Sequence, residues 1–125
     1  MVASIYVHFP FCRRKCIYCD FYSVTKTEDV EAFLCALTRE TTLSGDQHNG
    51  TAFATIFFGG GTPSLLEPSQ LERILSALRT AFPIPPGAEV TLETNPGTVT
   101  EEKLQAFRGL GINRLSIGIQ TTVLP

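Results

Sequence analysis

The sequence predicts an α/β fold built on a parallel sheet, and three observations support this prediction. Four short runs of β-type composition alternate with three helical patterns, an order typical of right-handed βαβ units. The chain has 125 residues, enough for one domain with a buried core. Its 43% hydrophobic and 18% charged content is that of a globular protein. We therefore expect one sheet of four strands, with helices connecting them.

The predicted strands cover residues 4–9, 54–58, 89–94 and 114–120. Three of them alternate between apolar and polar side chains; in the first, Val7 and Phe9 alternate with Tyr6 and His8. Because neighbouring side chains of a strand point to opposite faces, each polar set shares one face. We expect the apolar sets to pack under the helices and the polar sets to line a lumen or a concave surface. A sheet with one solvated face is the alternative.

Three helices connect these strands. The first is predicted over residues 28–43, followed by a loop at 44–50, and the second begins near Pro68, a residue suited to a first helical turn. The third opens at Thr98 or Thr100, with acidic residues in its first turn, and ends at Gly109 and Gly111. The apolar stripes predicted to face the core are Val30, Phe33, Leu34 and Leu37 in the first helix, and Leu71, Ile74, Leu75, Leu78 and Phe82 in the second.

Composition excludes several classes of function. A net charge of −2 argues against a general nucleic-acid or membrane-surface binder. No apolar run approaches the roughly 18 residues of a membrane span, and the N-terminus lacks the pattern of a secretion signal. We therefore expect a cytoplasmic protein whose thiols stay reduced.

The most informative motif is a group of three cysteines, Cys12, Cys16 and Cys19, spaced C-x3-C-x2-C. This clustering favours a metal site over disulfides or free thiols. Three thiolates on a cubic [4Fe–4S] cluster leave one iron open to a small molecule, whereas a closed site usually takes four protein ligands. A zinc site with His8 or Cys35 as the fourth ligand is the alternative, although Cys35 lies off the apolar stripe of its helix.

Further candidate residues follow the strands. The cysteine loop follows the first strand, a glycine run with Gly60, Gly61 and Thr62 follows the second, and Glu93 and Gln120 end the third and fourth. Ligands of parallel α/β folds bind at this edge, and glycines let the backbone approach a ligand closely. Glu93 as a solvated strand residue, and Tyr6 and His8 as polar side chains satisfied by neighbours, are the alternatives.

These segments resemble the radical S-adenosylmethionine (SAM) enzymes, in particular the oxygen-independent coproporphyrinogen III oxidase-like family. The matching segments run in family order and spacing through nearly the whole chain, at residues 6–12, 16–21, 57–64, 92–97 and 113–120. The resemblance implies a partial TIM-type barrel of the radical SAM kind, truncated to about four βα strands. The whole chain, residues 1–125, would be the N-terminal part of a radical SAM core domain.

The resemblance also implies the roles of site residues. Cys12, Cys16 and Cys19 would ligate a [4Fe–4S] cluster whose open iron binds SAM. The residues implied to contact SAM are Tyr6, Tyr18, Gly60, Gly61, Thr62, Glu93 and Gln120. The implied chemistry is reductive cleavage of SAM by one electron, giving methionine and a 5′-deoxyadenosyl radical. The cofactor supplies this chemistry, and the protein supplies ligation and orientation.

One position distinguishes two branches of this family. The oxidases carry a further cysteine two residues after the third ligand, and this chain has Phe21 there. The chain therefore resembles the HemW branch, which is associated with haem binding and delivery. Coproporphyrinogen III dehydrogenation in porphyrin biosynthesis is the alternative activity, and a non-catalytic metal-binding module is an alternative of another class. The implied partners are haem or a porphyrinogen and an electron donor such as flavodoxin.

The length of the chain differs from the family pattern. Family barrels have about six βα units and a C-terminal domain, and this sequence ends after its fourth predicted strand. We expect an N-terminal piece of a longer protein, and we expect the isolated 125 residues not to be catalytically competent.

Overall fold

A computed structural model of the chain describes residues 2–11, 27–48 and 51–117. Strands and helices alternate through these ranges. They are β1 (Val2–Phe9), α1 (Thr27–Gln47), β2 (Ala52–Gly60), α2 (Pro68–Ala81), β3 (Glu89–Thr94), α3 (Glu101–Leu110) and β4 (Arg114–Ile117). Short 3-10 turns, Pro63–Leu65 and Pro96–Thr98, follow β2 and β3. The described helices include none that is both long and apolar enough to cross a bilayer.

The four strands form one parallel sheet in the order β1-β2-β3-β4, which confirms the predicted fold class. Each strand therefore pairs with the strand that precedes it in the chain. In the register, Tyr6 lies beside Phe57, Phe57 beside Thr91, and Thr91 beside Arg114. All carboxyl ends consequently meet at one edge of the sheet.

The core lies between the sheet and the helices. Most large apolar side chains of β1 to β3 are buried, including Val7, Phe9, Val90 and Leu92, whereas Ile5 is partly buried. The predicted stripe of α2 is buried along its whole length. On the opposite face, Ser4, Tyr6 and His8 are exposed. The alternating pattern thus separates an apolar face under the helices from a polar face, as the sequence predicts.

Strand β4 departs from this pattern. Leu115 and Ile117, expected to pack under helices, are 39% and 54% exposed. Their register partners Leu92 and Thr94 are buried on β3. Within the described part of the chain, β4 is an edge strand that pairs only with β3, so its apolar side chains receive less cover.

Helix α1 is longer than predicted. Residues 44–47, expected in a loop because of Ser44 and Gly45, continue the helix to Gln47. A Cβ at Gly45 would lie 2.7 Å from the carbonyl oxygen of Ala81 at the end of α2. Glycine is needed here because the two helices approach closely, and this contact outweighs its low helix propensity.

Two side chains on the outer helices have pKa values that depart from the usual ones. A hydrogen bond and ion pair with Glu31 of α1 raise the pKa of Arg73 on α2, with Nη1 2.9 Å from Oε1. Burial lowers the pKa of Lys103 on α3, partly offset by the charge of Glu67. Both groups lie on the helices and not on the polar face of the sheet.

Candidate functional site

The carboxyl ends of β2 and β3 enclose a cleft of about 360 Å³. It lies where the sequence predicts ligand binding. The lining residues come from the loop after β2, from the end of β3 and from β4: Gly61, Thr62, Pro63, Glu93, Thr94, Asn95 and Ser116. Three of the predicted SAM contacts, Gly61, Thr62 and Glu93, are therefore brought together in one cleft.

The turn after β2 requires glycine at one position. Gly60 has a φ of +108°, a conformation that residues with a side chain rarely adopt. A Cβ there would also lie 2.6 Å from the carbonyl oxygen of Phe9 and 2.9 Å from the ring of His8. Backbone and ring therefore occupy the space that a side chain would need.

Hydrogen bonds join this turn to the end of β1. The main-chain amide of Gly61 donates to the carbonyl of Phe9 over 2.6 Å, and that of Thr62 donates to the carbonyl of Phe11 over 2.8 Å. Phe11 is buried and contacts the rings of Phe9 and Phe33 edge to face, at centroid distances of 5.1 and 5.5 Å. Phe11 directly precedes Cys12 in the sequence, so the glycine turn is fixed to the segment that leads into the cysteine motif.

Tyr6 and Glu93 converge over Gly59. A Cβ at Gly59 would lie 2.9 Å from the hydroxyl of Tyr6 and 3.0 Å from Oε1 of Glu93. Tyr6 also stacks on Phe57, with ring centroids 5.9 Å apart, and remains 58% exposed. The missing side chain of Gly59 leaves room for a phenol and a carboxylate above the middle of the sheet.

His8 and Cys35 were the candidates for a fourth metal ligand. His8 Nδ1 lies 3.2 Å from the hydroxyl of Tyr6, which fits a polar side chain satisfied by its neighbour. Cys35 is exposed on α1, and its thiol lies 4.0 Å from Glu31 Oε1. Within residues 2–11, 27–48 and 51–117, no three His, Cys, Asp or Glu side chains are grouped to hold a metal.

A larger cleft of about 1030 Å³ lies between α1 and α2. It is lined by small and hydroxyl side chains and Cys35, and by the charged side chains of Asp46, Glu72 and Arg73. Because α/β folds bind ligands at the carboxyl ends of their strands, the smaller cleft is the better candidate.

Several predicted site residues lie outside the described ranges. These are Cys12, Cys16, Cys19, Tyr18 and Gln120. The structure also adds residues that sequence reasoning did not select. Asn95 and Ser116 line the cleft, and the buried Ser64 directly follows the lining residue Pro63. The available signal was that all three residues fall within the segments that match the family, 57–64, 92–97 and 113–120.

The described residues fit SAM as a ligand. The cleft offers a carboxylate from Glu93 and hydroxyls from Thr62 and Ser116, groups suited to the amine and carboxylate of an amino acid. Gly61, which also lines the cleft, has no side chain to cover its backbone.

Comparison with known proteins agrees with this geometry. The model of the radical SAM superfamily matches residues 6–123. The heme chaperone HemW of Synechocystis sp. is 44% identical over 127 residues, covering 96% of this chain and 30% of that protein. HemW of Escherichia coli (strain K12) is 38% identical over 124 residues, covering 94% of this chain and 32% of that protein.

Among solved structures, coproporphyrinogen III oxidase (HemN) from Escherichia coli, described as a radical SAM enzyme, superposes with a TM-score of 0.85. It is 32% identical, and the match covers 94% of this chain and 28% of that one. The chain spans about a third or less of the length of the proteins it matches. Because the family model matches most of the 125 residues, the chain belongs to the radical SAM superfamily, in which its similarity is to HemW and HemN proteins.

Proposed function

We propose that this chain holds a [4Fe–4S] cluster through Cys12, Cys16 and Cys19 and binds SAM at the open iron. The observation that carries this proposal is the pair of hydrogen bonds from the glycine turn to Phe9 and Phe11, directly before Cys12. These bonds hold one wall of the polar cleft against the residue that introduces the three thiolates.

Each predicted SAM contact has a part in this proposal. Gly60, Gly61 and Thr62 hold the methionyl part of SAM through the backbone and a hydroxyl. Glu93, aimed at the space over Gly59, accepts hydrogen bonds from the SAM amine, and Tyr6 offers its hydroxyl from the other side. Tyr18 and Gln120 complete the contacts. When bound, the cluster and SAM together supply one-electron cleavage of the sulfonium.

Within the superfamily, we propose a HemW-like role in haem binding and delivery, with residues 1–125 acting as part of a radical SAM core. The supporting observations are the relatives named heme chaperone HemW and the presence of Phe21 where the oxidases have cysteine. An electron donor of the flavodoxin type would reduce the cluster.

A second candidate is oxygen-independent coproporphyrinogen III oxidation, favoured by the similarity to HemN. An anaerobic decarboxylation assay of the full natural gene product separates the two roles. Porphyrinogen decarboxylation supports the oxidase. Haem binding without decarboxylation supports the HemW-like role.

Anaerobic purification tests the cluster itself. We expect about four irons and four sulfides per chain, and an electron paramagnetic resonance spectrum of the reduced cluster that changes when SAM is added. Stoichiometric zinc without iron would instead favour the metal-binding module. An iron–sulfur spectrum insensitive to SAM would argue against the open iron.

A further inference from the structure

A closed ring of hydrogen bonds joins the two loops that line the cleft. Ser64, in the turn after β2, is 0% exposed. Its hydroxyl lies 2.5 Å from Oγ1 of Thr98 and accepts a 3.2 Å hydrogen bond from the main-chain amide of Asn95. Thr98 Oγ1 in turn donates to the carbonyl of Asn95 over 2.7 Å. The ring thus begins and ends on the backbone of one residue.

Counting protons fixes the direction of every bond in this ring. A hydroxyl has one proton, and that of Thr98 goes to the Asn95 carbonyl. The Ser64 hydroxyl must therefore donate to Thr98, which leaves its lone pairs to accept the Asn95 amide. Each hydroxyl donates once and accepts once, so removing either one leaves a polar partner unsatisfied.

This connection between loops distinguishes Ser64 from two other buried hydroxyls, those of Thr41 and Thr94. Thr41 donates to Leu37 within α1, and Thr94 donates to Leu92 within β3. Ser64 instead joins the loop after β2 to the loop after β3. Its two partners in that loop, Asn95 and Thr98, are 31 and 34 positions away in the sequence.

The ring lies next to residues that line the cleft. Ser64 follows Thr62 and Pro63, and Asn95 follows Glu93 and Thr94, all four of which line the cleft. The side chain of Asn95 is itself occupied, since Oδ1 accepts from the amide of Gly97 over 3.0 Å. The bonds that join the two loops therefore pass through the hydroxyl of Ser64, a residue that does not line the cleft.

We infer that Ser64 is a positioning residue that fixes the separation of Thr62 and Glu93, and hence the affinity of the cleft for SAM. This inference rests on the proposed function. Ser64 does not line the cleft and acts through its neighbours. Separating the walls by even a fraction of an ångström would weaken hydrogen bonds to both ends of a small polar ligand.

The test uses the full natural gene product containing these residues, with its cluster reconstituted anaerobically. Four variants are compared. Ser64→Ala and Thr98→Val open the ring, and Thr98→Val keeps the side-chain shape. Thr98→Ser keeps the hydroxyl. Thr41→Val removes a buried hydroxyl in α1, remote from the cleft, as a control for lost stability.

Two quantities are measured: the Kd for SAM by equilibrium dialysis, at equal iron content, and deuterium exchange of the segment 89–98. We expect Ser64→Ala and Thr98→Val to weaken SAM binding about tenfold and to speed exchange. Thr98→Ser and Thr41→Val should bind SAM like the wild type. If Ser64→Ala fails to fold, Thr98→Val carries the test alone.

Equal SAM binding in all variants would overturn the inference and leave the proposed function intact. Equal losses in Thr41→Val and the ring variants would assign the effect to stability and also overturn it. A wild-type protein that carries its cluster but does not bind SAM would contradict the proposed function instead, a result that the wild type alone reveals.

Discussion

The main-chain amide of Thr62 donates a 2.8 Å hydrogen bond to the carbonyl of Phe11. Phe11 is anchored by the rings of Phe9 and Phe33, so Thr62 is fixed to a buried point of the core. This bond joins the loop after β2 directly to the residue before the cysteine motif. The candidate SAM loop is thus hydrogen-bonded to the residue that precedes the first proposed cluster ligand in the sequence.

The first prediction concerns the three motif cysteines. Replacing Cys12, Cys16 or Cys19 with serine should abolish binding of the cluster, because a [4Fe–4S] cluster needs thiolate ligands. Cys35→Ser is the matched control, since Cys35 is exposed on α1 and should not affect iron content. Iron and sulfide analysis after anaerobic reconstitution measures the result. Full iron content in any single motif variant would contradict the ligand assignment.

The second prediction separates ligand binding from cluster binding. Glu93→Gln keeps the shape of the side chain but removes its charge, and should weaken SAM binding by about tenfold or more, because charge-assisted hydrogen bonds are the stronger ones. Iron content should not change. Calorimetric titration with SAM measures the effect.

Glu89 provides a control for Glu93 on the same strand. It lies at the opposite end of β3, on the same face, where it contacts Arg114 at 3.6 Å. Glu89→Gln should leave SAM affinity unchanged. If both variants lose affinity equally, the effect is one of general charge and not of the site.

The third prediction tests the turn at Gly60. Gly60→Ala should destabilise the fold by at least about 2 kcal/mol, because alanine must adopt a positive φ and its Cβ would meet the Phe9 carbonyl. Urea unfolding measures the change. Gly109→Ala in α3 is the control: a Cβ there meets nothing within 4 Å, so this variant should gain roughly 0.5–1 kcal/mol. Equal stability of Gly60→Ala and the wild type would show that the turn adapts.

The fourth prediction concerns the contact between α1 and α2. Helix propensity alone would favour Gly45→Ala by about 1 kcal/mol. The contact with the Ala81 carbonyl predicts the opposite sign, a loss of roughly 1–3 kcal/mol, because backbone atoms cannot move aside as a flexible side chain can. Thermal unfolding shows whether Gly45→Ala raises or lowers the stability. A stabilised Gly45→Ala variant would show that the helices separate at little cost.

Much of the fold could be predicted from sequence because its periodic signals are local. The alternation of β3 gave the bounds Glu89–Thr94, and Pro68 marked the start of α2, as observed. The shared face of the polar side chains is predicted from the alternation, whereas the meeting of Tyr6 and Glu93 over Gly59 is seen only in the structure.

Other features depend on contacts between distant parts of the chain. From the sequence, Gly45 is assigned to a loop because glycine often ends a helix. The contact that requires glycine there is with the carbonyl of Ala81, which lies 36 positions away in the sequence. Ser64 read as part of a glycine-rich motif, and only the structure shows its hydroxyl bonded to Thr98. The exposed Leu115 and Ile117 carry the same apolar pattern as buried strands, since local sequence does not record whether a helix covers them.

The order β1-β2-β3-β4 also bears on how this chain acquires its structure. Each new strand docks onto the one synthesised just before it, so no strand must wait for a later one to be inserted between it and its neighbour. The sheet can grow during translation by successive addition at a single edge, with each loop closure spanning only one helical connection. The hydrogen bonds from the glycine turn to Phe9 and Phe11 involve no residue of β3 or of any later element.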